Sequence, residues 1–88
     1  MKVEFKKSFT KDLKKVKDQE LFQQAKVAIE EIEQAPNLQV VNNLKQLKGG
    51  GGYFRVRIGD YRIGLKLEGD TIIFVRFLHR KEIYRYFP

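Results

Sequence analysis

The chain has 88 residues, 18 basic against 11 acidic side chains, a net charge of +7, no cysteine and a single histidine. That length allows one small domain (residues 1–88) near the lower limit for a self-sufficient core. It excludes thiol and disulfide chemistry, a spanning helix, since no apolar run approaches ~18 residues, and any cluster with metal-ligand spacing, so no cofactor is expected.

Lys2-Val3-Glu4-Phe5-Lys6 alternates polar and apolar, as a half-buried strand does. The same start is charged and lacks the apolar core of a signal peptide, so with no cysteine the reducing cytoplasm is the simplest home. Ser8 or Thr10 is then expected to cap a first helix, with Phe9, Leu13 and Val16 at helical spacing and Lys11, Lys14, Lys15 and Lys17 outward. A solvated face is the plainer reading of those lysines. Asp18 is a good N-cap for a second helix, whose apolar stripe is Leu21, Phe22, Ala25, Ala28, Ile29 and Ile32. Pro36 stops it. The helices are expected to form a hairpin on one face of a sheet.

Residues 37–48 read as a connector. The run Gly49 to Gly52 lacks the following Lys-Ser/Thr and helix of a phosphate-binding loop, which leaves a pliable lead-in to the next strand. From Tyr53 the alternation is clean: Phe54, Val56 and Ile58 one way, Arg55 and Arg57 the other. Gly59-Asp60 is a two-residue hairpin signal with glycine where a type II′ turn needs positive φ. That register sets Arg57 against Arg62, a like-charge pair that a sheet normally avoids, and Arg55 against Gly64, leaving a shallow depression beside the cations.

The next turn, around Glu68-Gly69-Asp70, decides the face of Arg76 and Arg80. A two-residue turn sends them to the core, where unpaired arginine costs several kcal/mol (roughly). A three-residue loop, or a bulge with the same effect, is therefore expected. One polar face then carries Arg55, Arg57, Arg62, Lys66, Arg76 and Arg80, opposed only by Glu68. An ordinary surface intersperses both signs; this one suits a polyanion. Planar guanidinium groups grip phosphate in bidentate fashion, and Tyr84, Tyr86 and Phe87 in the tail offer rings for stacking on unpaired bases. The tail is equally readable as a short terminal turn or helix in which Ile83, Tyr84 and Phe87 pack on the sheet.

The order strand, two helices, three-stranded antiparallel meander, an α+β arrangement, resembles the RelE/ParE superfamily of toxins from toxin–antitoxin pairs. The motifs carrying the resemblance are Phe54-Arg55-Val56-Arg57-Ile58-Gly59-Asp60-Tyr61-Arg62 and Val75-Arg76-Phe77-Leu78-His79-Arg80-Lys81-Glu82-Ile83-Tyr84. For the RelE branch the resemblance implies an endoribonuclease acting on messenger RNA in the ribosome, in which the ribose 2′-hydroxyl attacks the adjacent phosphate. It implies an acidic antitoxin as partner, alongside ribosome and messenger RNA, with no membrane or metal. By resemblance Arg62 holds the scissile phosphate, Arg80 assists the leaving oxygen and Tyr84 stacks on or orients the nucleotide. Arg55, Arg57, Lys66, Arg76 and Lys81 would hold the RNA backbone. RelE itself carries lysines where this chain has Arg55 and Arg57, and arginine is a poor general base. His79 is the candidate base, although strand parity turns it away from Arg80 unless the strand ends at residue 78. A ParE-like gyrase inhibitor without nuclease chemistry is the alternative, and a plain nucleic-acid-binding module a third reading.

Overall fold

The computed structural model describes all residues from Met1 to Pro88. Five strands form one sheet: β1 (Lys2–Phe5), β2 (Leu44–Gln46), β3 (Tyr53–Ile58), β4 (Tyr61–Glu68) and β5 (Thr71–His79), in the order β1-β5-β4-β3-β2. Three helices, α1 (Lys7–Lys14), α2 (Gln19–Gln34) and α3 (Ile83–Tyr86), and a 3₁₀ turn at Leu38–Val40 complete the chain. β1 lies parallel to β5, while the other pairs are antiparallel. The α+β class and the order of the expected elements hold. The sheet is wider than the expected meander, because residues 37–48 hold a 3₁₀ turn and β2 rather than a plain connector. The glycine run joins β2 to β3, all four residues at positive φ. At Gly52 a Cβ would come within 2.7 Å of the Leu67 carbonyl oxygen, so glycine is required where this turn crosses the end of β4.

Apolar residues from one sheet face and from the two long helices meet in a single core that includes Phe9, Ala25, Ile32, Val56, Ile63, Leu65, Ile72, Phe74 and Phe77. Phe9 inserts between β5 side chains, with ring centroids 5.3 Å from Phe74 and 6.4 Å from Phe77. Asp18 caps α2 as expected, its side chain accepting from the amides of Glu20 and Leu21. The expected cap of α1 does not form: the helix begins at Lys7, with Lys6 at its N-cap position and no side-chain cap bond. Ser8 instead donates to the Val75 carbonyl at 2.6 Å, and Thr10 turns back onto the Lys7 carbonyl at 3.0 Å. Ser8 has a better partner because β1 ends at Phe5 and leaves the edge of β5 open beyond Phe74.

Side chains of α1 close that edge. Asp12, buried, accepts from the Phe77 amide at 3.0 Å and from Arg76 through Nε at 2.7 Å and Nη2 at 3.1 Å. One carboxylate thus stands in for the missing strand and neutralises a half-buried guanidinium. Hydrogen bonding to Asp12 holds the Arg76 guanidinium above its ordinary range, against the opposing pull of desolvation.

Candidate functional site

The β3–β4 hairpin has the expected register: Ile58 opposite Tyr61, Arg57 opposite Arg62, Arg55 opposite Gly64. Gly59 opens its turn at φ +58°, the value that a two-residue connection of this hand demands. The β4–β5 turn is the two-residue Gly69-Asp70, since Glu68 pairs with Thr71. A bulge then intervenes: Leu65 opposes Phe74 but Gly64 opposes Arg76, so Val75 is the extra residue. The bulge, rather than a longer loop, turns Arg76 out of the core, which is the second of the two expected solutions.

Arg62 is the centre of the polar face. Its Nη1 donates to the carbonyls of Gly59 (2.9 Å) and Tyr61 (3.0 Å), which pins the guanidinium and leaves the Nε and Nη2 donors uncommitted. Burial first and Arg55 second push this guanidinium below its ordinary range; Arg57 and Arg80 add to the fall, while the phenol of Tyr84 opposes it. All four neighbours therefore lie within electrostatic reach of one point. Arg80 joins from past the end of β5: its amide donates to the Asp60 carbonyl at 2.7 Å, and its Nε lies 3.9 Å from the Asp60 carboxylate. Both partners of that loose pair are exposed, so it contributes little to stability and leaves Arg80 available.

Asn43 supports the cluster and was not legible as a site residue. It sits in the left-handed region at φ +63°. Its carbonyl accepts from Arg55 Nη1 at 2.9 Å and from the Arg57 amide at 3.1 Å, and its Oδ1 from Arg57 Nη2 at 3.4 Å. Asparagine is among the few residues that tolerate this backbone, and here the conformation aims both of its oxygens at the arginines. Arg55 Nε is buried without a hydrogen-bond partner, a costly state that an acceptor on a bound anion would relieve.

Three expected members stand apart. Arg76 is committed to Asp12 rather than free for phosphate. Lys66, toward the other end of β4, pairs with Glu68 at 2.9 Å and lies 5.3 Å from the Tyr53 ring; the Glu68 bond raises its pKa. His79 is the last residue of β5, opposite Tyr61 and so on the side away from Arg62. The strand does not end at residue 78. The His79 ring meets Tyr61 edge-on at 5.4 Å, and its Nδ1 accepts from the Lys81 amide at 3.1 Å. A neutral imidazole accepting at Nδ1 carries its proton on Nε2, so it has no free nitrogen to take another. Lys81 itself is exposed and reaches no acidic partner. His79 instead lines a cleft of about 340 Å³ with Asp12, Lys15, Tyr61 and Tyr86.

The depression expected over Gly64 is filled. The Phe87 ring lies so close that a Cβ on Gly64 would sit 2.8 Å from its carbons. Phe87 and Ile83 are buried, whereas Tyr84 and Tyr86 are exposed. The tail thus divides the two expected roles: alternate ends pack, and the tyrosines remain on the surface.

The comparisons with known proteins agree with this architecture. Residues 3–84 match the family model described as the ParE toxin of type II toxin–antitoxin system, parDE. The chain belongs to the RelE/ParE family of toxins of type II toxin–antitoxin systems. Its resemblance is to the RelE-like branch: it is 48% identical to Toxin RelE3 of Methanocaldococcus jannaschii over 89 residues, covering 100% of both chains. The toxin in a RelB–RelE antitoxin–toxin complex from Methanococcus jannaschii superposes with a TM-score of 0.81 at 46% identity, over 96% of this chain and 98% of that one. A YoeB/ParE toxin from Agrobacterium tumefaciens shares the fold at a TM-score of 0.73 and 18% identity, over 90% of this chain and 98% of that one.

Proposed function

We propose that this toxin is a ribosome-dependent endoribonuclease that cleaves messenger RNA by attack of a ribose 2′-hydroxyl on the adjacent phosphate. The observation that carries the reading is the arginine face itself: Arg57 stands directly opposite Arg62, Arg55 lies on the same face in the next row, Arg80 is tied to the hairpin turn at Asp60, and the phenol of Tyr84 is exposed. Arg62 and Arg55 hold the non-bridging oxygens of the scissile phosphate, where charge accumulates as the attacking bond forms. Arg80, on the more open rim, stabilises the departing 5′ oxygen, and Tyr84 orients the nucleotide. No histidine or unpaired carboxylate faces the cluster. The rate enhancement therefore rests on charge stabilisation and orientation, with solvent taking the 2′-hydroxyl proton. Placing a base by a side chain is worth ~10²–10⁴, so the enzyme is a slow nuclease off the ribosome.

Inducible expression followed by mapping of RNA ends tests the activity: new 5′-hydroxyl ends inside translated messages are expected, and growth arrest without them overturns it. Arg80→Ala should abolish both arrest and cleavage while the fold persists, because the side chain is exposed and its amide bond to Asp60 survives. A partner follows from the RelB–RelE complex of the relative: an acidic antitoxin that covers the arginine face, with affinity that falls as salt rises. The missing proton acceptor and the match to the ParE toxin family favour one second reading, a gyrase inhibitor with no chemistry of its own. Loss of gyrase supercoiling in the presence of the purified chain, without RNA cleavage, would select it.

A further inference from the structure

α3 has only four residues, far too few to hold a helical turn in water by itself. Its position depends on what fastens its ends. Ile83 fastens the start, wholly buried, and Phe87, just past the end, is 2% exposed. The Phe87 ring covers Gly64 so closely that a Cβ there would come within 2.8 Å of it, and it meets the Tyr53 ring edge-on at 5.6 Å. Gly64 needs no glycine for its backbone, since its φ is not positive; the ring alone excludes a side chain there. Gly64 also lies in the row Arg55–Gly64–Arg76 across three strands, immediately beside the Arg57–Arg62 row. The plug is thus set into the arginine face itself, with Tyr84 carried between the two anchors.

We propose that Phe87, seated on Gly64, is the positioning residue that holds α3, and Tyr84 with it, on the arginine face. The catalytic meaning of that placement rests on the nuclease reading; the placement itself does not. Phe87 touches no reacting atom. It fixes the end of a turn that is otherwise free to swing, and a displacement of about 1 Å in an orienting group costs up to ~10² in rate.

The test uses the 88-residue chain with Phe87→Ala, Phe87→Leu, Gly64→Ala and Tyr84→Ala, alone and with Phe87→Ala and Tyr84→Ala combined. Circular dichroism and thermal melts confirm folding. The Arg62 Nε–Hε resonance, assigned with Arg62→Lys, reports the ring current of Tyr84. Phe87→Ala and Gly64→Ala should each move this resonance toward its position in Tyr84→Ala, and Phe87→Leu should leave it near wild type. Gly64→Ala evicts the same ring from the opposite side, so it carries the test if Phe87→Ala fails to fold. In ribosome-dependent cleavage, Phe87→Ala should lose about 10²-fold in rate with Phe87→Leu restoring most of it. In the Tyr84→Ala background Phe87→Ala should have no further effect. An unmoved Arg62 resonance in the folded variants, or a further rate loss in that background, overturns the proposal. Wild-type protein that cleaves nothing defeats the nuclease reading instead, and the resonance still decides where Tyr84 is held.

Discussion

Arg57 and Arg62 face each other across β3 and β4, an arrangement that costs free energy in the empty protein. The pKa of Arg62 is depressed first by burial and then by Arg55, with Arg57 adding a smaller part of the fall. A base whose folded-state value lies below its unfolded one releases its proton more easily when folded, so stability rises with pH only between those two values, in the alkaline range. At neutral pH every arginine is charged and the repulsion is fully present. Two outcomes follow. Arg57→Gln should raise the urea midpoint while weakening RNA binding and lowering its salt slope by about one. Sulfate should raise the melting temperature more than chloride at equal ionic strength, because a doubly charged anion seated between the arginines relieves their repulsion. Equal effects of the two salts would mean that the arginine face holds no anion. Asn43 serves as bracket for both Arg55 and Arg57; Asn43→Gly keeps the backbone bonds and removes only the contact to Arg57.

Among the elements, the tie between α1 and β5 is the most sensitive. Asp12→Asn keeps an acceptor for the Phe77 amide but strands a half-buried guanidinium, and it should cost about 3 kcal/mol in urea unfolding. Adding Arg76→Met, which removes the stranded charge, should recover most of that loss; a double variant as unstable as the single would mean that the ion pair is not what holds the edge. Asp18→Ala at the cap of α2 should cost about 1 kcal/mol. Asp12 had a sequence signal that was easy to pass over. It stands three residues after Phe9 and four before Val16, on the apolar side of a lysine-rich helix, where a carboxylate has no reason to be unless something buried needs it. Ser8 gave no such signal, because its partner is a carbonyl exposed only by the early end of β1. The first hairpin was fully legible, since a Gly-Asp turn and strict alternation admit one register. The β4–β5 pair was not: both faces of Thr71–Leu78 are apolar, and only the cost of buried arginine pointed to an extra residue.

For the molecule as a whole, the two faces of the sheet do different work. One face is covered by α1 and α2 and forms the core, and the other gathers guanidinium groups around Arg62 beside the apolar plug of Ile73, Ile83 and Phe87. Composition alone points to an anionic partner, because charge is a sum over residues and needs no fold. Which arginines are free depended on the fold, since Asp12 removes Arg76 from the set and Phe87 fills the gap beside Arg55. The net charge of +7 acts on every encounter. Binding to messenger RNA should therefore weaken steeply as salt rises, with a log–log slope that counts the phosphates contacted; a flat dependence would mean that the arginine face is not the surface used.

The single extra residue at Val75 has a wider consequence. Before it, the even-numbered side chains Ile72 and Phe74 point to the core; after it, the odd-numbered Phe77 and His79 do. The strand changes phase in its middle, and the phase shift assigns Phe77 to the interior and Arg80 to the rim in one stroke. Deleting Val75 would restore a uniform beat and leave both assignments in place, whereas flattening the kink with Val75 retained would exchange the two and erase the hydrophobic layer and the arginine cluster together. A homologue can therefore lose the extra residue and keep an arginine at the rim, but it cannot keep the residue and lose the kink.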